Sequence, residues 1–325
     1  MNQEDQLNYD VEHFSLDTMM STTKIVTRHQ PNLFHRQGNM HHNQMFLPHS
    51  KNRLGEGGLR TKSYFKMSLP DKPLITVVTV VFNGEQYIEE TILSVINQTY
   101  ENIEYIIVDG GSNDDTIDII RKYQHAIDYW VSEKDKGIYD AMNKGINLSS
   151  GAWINFMNSG DTFFSSETVA QIFSGEICDE KIIYGNVHVR YLNFSRIKRG
   201  GNPNKLWSGM QFCHQSAFVD VQYHKLKQFN VENKIAADLE LFYSAFKTKE
   251  KFKYFDLVFS SVQDGGVSDS NRLQAVLASR NAVRNCGASR IVDLYYLFAV
   301  IDSLSRSFLK KILPASLVKK IIQFK

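Results

Sequence analysis

From Leu74 to Phe82 the chain reads Leu-Ile-Thr-Val-Val-Thr-Val-Val-Phe, an almost unbroken apolar and β-branched run that ends at Asn83-Gly84. Such a run lacks the alternation of a half-solvated strand and belongs in a parallel sheet covered by helices on both faces. The stretch after it, Glu85 to Ile96, spaces its apolar residues as a helix does. A second strand of the same kind, Ile103 to Val108, ends in Asp109-Gly110-Gly111-Ser112-Asn113-Asp114-Asp115-Thr116. Ligands of open α/β sheets bind outside the carboxyl ends of the strands, so Asn83 and Asp109 are predicted to stand side by side at one crevice.

The alternation continues with a short strand near Asp128 to Val131, a helix from Ile138 to Leu148 and a fourth strand from Ala152 to Met157. A βαβαβαβα order through Phe173 predicts a right-handed, largely parallel sheet. Further on, a strand is expected at Ile182-Ile183-Tyr184, a helix at Ala237 to Lys247 and a strand at Tyr254 to Ser260. Helical patterning dominates from Asn271, and no internal repeat is present.

The two strand ends resemble the opening of the family 2 glycosyltransferases, inverting enzymes with the nucleotide-sugar-binding GT-A fold. The resemblance runs from about residue 57 to about residue 265. It implies an α/β GT-A fold with a mostly parallel central sheet, followed here by C-terminal helices. It also implies that the first strand end contacts the nucleotide, a role that falls on Thr79, Phe82 and Asn83. The aspartate that ends the second strand, Asp109, would bind the base or ribose.

Three further segments carry the resemblance. In Asp135-Lys136-Gly137-Ile138-Tyr139-Asp140-Ala141-Met142-Asn143-Lys144, the side chains of Asp140, Asn143 and Lys144 share one helical face near a helix start. Such a face suits the hydroxyls and phosphates of a nucleotide sugar, and without the resemblance it reads as a solvated charged face. After the fourth strand comes Asn158-Ser159-Gly160-Asp161, where the family places a carboxylate motif for a divalent cation, Mg²⁺ or Mn²⁺. Hard cations prefer oxygen ligands. Asn158 and Gly160 stand where carboxylates are common, which leaves Asp161 as the strong ligand and Asn158 as a weaker oxygen donor. An Asx-type turn is the alternative. The run Cys213-His214-Gln215-Ser216 resembles the segment placed near donor and acceptor, which gives His214 a donor-binding role. In Ala236-Ala237-Asp238-Leu239-Glu240, Asp238 matches the family's general base, the group that takes a proton from the attacking hydroxyl. An N-cap aspartate is the plain alternative, and Glu240 is the fallback base.

Composition narrows the partners. The net charge is +2 over 325 residues, so no basic field suggests nucleic acid. Cys178, Cys213 and Cys286 are too scattered for a disulfide framework, the N-terminus carries no signal-peptide pattern, and no run is long enough to span a bilayer. A cytoplasmic setting is the expectation, with the inner face of the plasma membrane as one reading of it. Residues 1 to 66, rich in Asn, Gln and His, are expected to be a mostly disordered tail with an ordered lead-in at Gly57 to Phe65; metal binding by the histidines is the other reading. Residues 67 to 270 form the expected catalytic domain and 271 to 325 a helical region. Beyond Asp302 that region holds six basic and no acidic residues. It reads either as an amphipathic helix at an anionic membrane surface or as a helix packed on the domain with its lysines in water.

The expectation is therefore an inverting, metal-assisted glycosyltransferase of the hexosyltransferase type. It would move a sugar from a nucleoside diphosphate-sugar donor to a hydroxyl of a glycan or lipid-linked acceptor in surface polysaccharide synthesis. The rivals are a catalytically silent nucleotide-sugar-binding subunit and a nucleotidyltransferase. The latter wants a basic glycine-rich loop where Asn83-Gly84-Glu85 is acidic. An oxidoreductase is excluded because no G-x-G-x-x-G follows a strand.

Overall fold

Strands β2 (Ile75–Val81) and β3 (Ile103–Asp109) are buried at every position and pair in parallel, Ile75 opposite Ile103 through to Val81 opposite Asp109. They are the centre of a computed structural model that describes residues 11–31, 44–175, 179–265 and 271–312. Parallel neighbours β4 (Tyr129–Glu133) and β5 (Trp153–Phe156) flank them. Helices α1 (Ile88–Ile96), α2 (Thr116–Lys122) and α3 (Ile138–Leu148) make the connections. The two faces of β2 feed two cores. Val78 and Val80 pack with Met142 and Ile146 of α3, while Val77 and Val81 pack with Ile88 and Ile92 of α1. At Gly145 a Cβ would come within 2.5 Å of Val78, so a glycine lets α3 lie close on the sheet.

Beyond β5 the direction changes. β9 (Ala217–Asp220) runs antiparallel between β5 and β7 (Ile182–Arg190), and β10 (Phe252–Gln263) then pairs in parallel with β7. The short β6 (Thr162–Phe163) closes that edge, β8 (Ser195–Lys198) forms a hairpin with β7, and β1 (Arg53–Gly57) lies antiparallel on β4 at the other edge. The order is β1-β4-β3-β2-β5-β9-β7-β10-β6, with β8 on β7. Further α-helices among the described residues are α4 (Thr168–Ile172), α5 (Val221–Leu226), α6 (Ala237–Lys247), α7 (Arg272–Asn285) and α8 (Ile291–Ile312). Helices α3 and α6 have the bounds that periodicity predicts.

The N-terminal region departs from the expected tail. Residues 11–31 hold a bridge of Phe14 with Val26 and another of Thr27 with Phe65, and β1 joins the sheet. Two buried ion pairs fasten the lead-in. Arg60 Nη2 lies 2.5 Å from Glu104 Oε1 of β3, and Lys66 Nζ lies 2.7 Å from Asp128 Oδ2. Arg60 also donates to the Met45 and Leu148 carbonyls at 3.0 Å each. These anchors are polar and distant in sequence, so they leave no periodic trace. His35, His41 and His42 lie outside the described residues.

Candidate active site

The loop after β5 is fixed mainly through its backbone. Asp161 N–H donates to the Asn158 carbonyl (2.9 Å), Gly160 N–H to Thr91 Oγ1 (3.0 Å), and Thr91 Oγ1 to the Asp161 carbonyl (2.9 Å). Arg190 Nη2 holds the Gly160 carbonyl at 2.9 Å. Gly160 has φ +96°, a left-handed conformation that a carboxylate residue would adopt only under strain. This accounts for a glycine where the fuller motif carries an acid.

Locked in this way, the loop presents Asn158 and Asp161 to a cavity of about 730 Å³, within the usual size range of small-molecule sites. His214 and Asp238 also line it, together with Tyr139, Gln215 and, from α7, Ala275 and Ser279. The His214–Ser216 turn is tied down from below. Asn155 of β5 donates to the carbonyls of Gln215 (3.0 Å) and Ala217 (2.8 Å), and Ser216 Oγ donates to the Asn186 carbonyl (2.9 Å).

Two polar chains meet in the cavity. In the first, Asp238 Oδ2 lies 3.4 Å from His214 Nδ1, and His214 Nε2 lies 3.2 Å from Asn158 Nδ2. An Nδ1–H facing the carboxylate and an Nε2 accepting from the Asn158 amide form the consistent tautomer. That assignment turns Asn158 Oδ1 away from the ring, and this buried oxygen has no partner. The Tyr139 hydroxyl lies 3.3 Å from Asp238 Oδ1, and burial together with the Asp238 charge raises its pKa. In the second chain, the Cys213 thiol donates to Gln215 Oε1 (2.7 Å) and Gln215 Nε2 donates to Asp161 Oδ2 (2.6 Å). Burial pushes the thiol to about 12, so it stays protonated as a donor. Burial also raises the Asp161 carboxyl to about 6, against the opposing pull of the Gln215 hydrogen bond, the Arg190 charge and a hydrogen bond from the Gln263 backbone.

The other expected site residues lie elsewhere. Thr79 is buried, donating to the Met157 carbonyl at 2.7 Å with the Tyr105 hydroxyl 2.9 Å away. Asp109 is fully buried. Its Oδ2 accepts from Gly111 N–H (3.1 Å), Ser112 N–H (3.0 Å) and Ser132 Oγ (2.5 Å), and its Oδ1 from Ser112 Oγ. Asn83, at φ +50°, accepts from Asn113 N–H through Oδ1 (3.0 Å). Phe82 is 65% exposed beside Gly110, on a shelf outside the cavity. On α3, Asp140 accepts from Lys136 N–H (3.0 Å), and Asn143 exchanges two 2.9 Å bonds with the Phe229 backbone. Lys144 pairs with Glu133 at 2.9 Å. These three brace their surroundings, and Tyr139 is the α3 side chain that bonds to Asp238. Glu240 is held by Asn230 and Asn233 and is absent from the cavity wall. The parts played by Tyr139 and Gln215 were not anticipated; the adjacency of Gln215 to His214 was the available signal.

Among the described residues no three Asp, Glu, His or Cys side chains converge as a metal cage. The donors that remain are Asp161 Oδ1 and the orphaned Asn158 Oδ1. One carboxylate and one amide oxygen fit a Mg²⁺- or Mn²⁺-type ion, which keeps waters and takes substrate phosphates as further ligands.

An α/β sheet with a cavity at its strand ends is a ligand-binding architecture, and comparison with known proteins is specific. The chain belongs to glycosyl transferase family 2: the pattern of that family matches residues 76–236, and the uncharacterized glycosyltransferase MT1564 of Mycobacterium tuberculosis (strain CDC 1551 / Oshkosh) is 34% identical over 179 residues, 52% of this chain and 67% of its own. Among solved structures it is similar to S. aureus TarS 1-349 in complex with UDP, with TM-score 0.51, 17% identity and 72% of each chain covered. It is also similar to the mannosyltransferase PcManGT from Pyrobaculum calidifontis in complex with GDP-Man and Mn²⁺. That match has TM-score 0.54, 14% identity and coverage of 78% of this chain and 79% of the other. The fold is GT-A, and the protein is a glycosyltransferase.

Proposed function

We propose that this glycosyltransferase inverts the anomeric centre as it moves a sugar from a nucleoside diphosphate donor to a hydroxyl of a glycan or lipid-linked acceptor, and that surface polysaccharide synthesis is its setting. One observation carries the reading: a cavity of about 730 Å³ holds Asp238, oriented by His214 and Tyr139, together with the half-buried Asp161 and the unpartnered oxygen of Asn158. Inverting transfer needs one base near the acceptor hydroxyl and a place for the diphosphate, and these residues supply both.

Asp238 takes the acceptor proton on a carboxylate oxygen as that hydroxyl attacks. The Nδ1–H of His214 keeps the carboxylate turned into the cavity, and Asn158 fixes the His214 ring. Asp161 and Asn158 would hold a divalent cation that neutralises the charge growing on the departing nucleoside diphosphate. The nucleoside takes the shelf formed by Phe82, Asn83 and the Gly110–Gly111 turn. Asp109 shapes that turn from beneath, which makes it a positioning residue.

Asp238→Asn tests the base. It keeps the shape and removes the basicity, so turnover is expected to fall about 10²- to 10⁴-fold with donor affinity within a few fold of the parent. Asp238 is the second residue of α6, with Ala236 at the N-cap, so it is not the capping aspartate of the plain alternative, and turnover equal to that of the parent would reject it as the base.

A further inference from the structure

Helix α8 turns a wide apolar face outward. Ile291, Leu294, Leu297, Phe298, Ile301 and Leu304 are each at least half exposed, with Ile291 at 82% and Phe298 at 62%. Among the described side chains of α8 only a narrow strip is buried, Val292 and Tyr296 against the core and Ser303 further along. Soluble surfaces rarely leave an apolar patch of this length open, and one this long marks an interaction site.

The charges around the face select its partner. Asp293 and Asp302 are the only acids of α8, and both are engaged by arginines of α7: Arg280 Nε lies 2.9 Å from Asp293 and Arg272 Nη2 lies 3.6 Å from Asp302. From residue 271 to 312 the sequence sets seven Arg and Lys against those two acids. The hairpin is therefore apolar on its outer face and basic overall, the composition that an anionic lipid surface attracts and a second copy of the same face repels. At the rim, the Trp207 ring meets Tyr295 edge-on at 5.2 Å, and both are partly exposed. Such amphipathic rings settle at the headgroup level of a bilayer. No helix among the described residues is long and apolar enough to cross a membrane, so α8 would lie in the surface plane.

We propose that the outer face of α8, with Trp207 and Tyr295 at its edge, docks in the interface of an anionic bilayer. The adjoining helix α7 contributes Ala275 and Ser279 to the cavity wall, so docking holds the site one helix away from the lipid. Acceptors carried in that bilayer would then reach the cavity without leaving the surface.

The test is co-sedimentation of the full chain with vesicles of phosphatidylcholine alone and of phosphatidylcholine with phosphatidylglycerol. The expected result is binding to the anionic vesicles that weakens as salt is raised. The triple substitution Leu297→Ser, Phe298→Ser and Ile301→Ser, all at exposed positions, should lower that binding by about tenfold or more without shifting the melting temperature. Trp130 and Trp153 are buried, so a blue shift of tryptophan emission on adding anionic vesicles reports Trp207. Equal sedimentation of parent and variant, or a lipid-free dimer that the same substitutions dissolve, would overturn the proposal. No sugar donor is used, so either failure leaves the transferase reading intact.

Discussion

At the ends of β2 and β3, polar side chains give their hydrogen bonds to the chain itself. Asp109 accepts four, and Asn83 Oδ1 closes onto the Asn113 amide. At the end of β5 and on the facing segments the balance is different. Asn158 keeps an unpartnered oxygen, Asp161 accepts from Gln215 and from the Gln263 backbone, and Asp238, which accepts from the Leu239 N–H and the Tyr139 hydroxyl, lines the cavity beside His214. Asn83 and Asp109 in the first set and Asn158 and Asp161 in the second all stand at strand ends of one sheet, the location that predicts ligand binding. What separates them is the cavity wall: the carboxylate of Asp109 is saturated within its turn, whereas Asn158, with its unpartnered oxygen, Asp161 and Asp238 all line the cavity.

The largest effect that separates the two sets is expected at Asp161. Asp161→Ala should take transfer below detection and abolish its response to Mg²⁺ or Mn²⁺, while the melting temperature stays within a few degrees of the parent. Little stability is at stake, since burial opposes the charged form of this carboxyl. Activity that persists in the variant, or that ignores a chelator in the parent, would remove the cation from the site.

Asp109→Ala should do the reverse. It strands two backbone donors and two hydroxyls in a buried turn, which is expected to cost roughly 3 to 5 kcal/mol of stability. Nucleotide affinity should follow only as far as the Gly110–Gly111 turn moves. Urea unfolding that shows a small loss, alongside calorimetry that shows a large drop in nucleotide affinity, would mean that Asp109 meets the ligand directly.

The sequence makes this division only half legible. Strands β2 and β3 and helices α3 and α6 are plain because continuous or periodic apolar residues dictate them. The lead-in was hidden because Arg60 and Lys66 find their partners on β3 and just before β4, contacts without local pattern. β9 has only four residues, too few for a periodic signal. In the site, motif resemblance located Asn158, Asp161, His214 and Asp238. Helical spacing placed Asn143 and Lys144 on a common face, yet it could not reveal that the Phe229 backbone and Glu133 occupy that face. The chain from Cys213 through Gln215 to Asp161 is tertiary throughout.

His224 sharpens the comparison from a third direction, because it has unused capacity with no access. It is fully buried, with its ring edge-on to Phe156 and Phe229. Its Nδ1 lies 3.0 Å from the Lys227 carbonyl, and its Nε2 has no partner. An Nδ1–H donating to that carbonyl leaves the Nε2 lone pair walled in by aromatic carbon. Burial therefore lowers its pKa from 6.5 to about 4. The folded state binds this proton less readily than the unfolded state, so stability is complete above pH 6.5 and is lost as pH falls from 6.5 towards 4. At about 1.4 kcal/mol per pH unit the loss amounts to about 3 kcal/mol. His224→Asn keeps a donor for the Lys227 carbonyl and does not titrate, so its stability, lower at neutral pH, should lack this contribution between pH 6.5 and 4. Equal slopes in the two proteins, followed by urea unfolding at each pH, would show that the ring already finds a proton-accepting path to water, and enclosure would no longer distinguish His224 from His214.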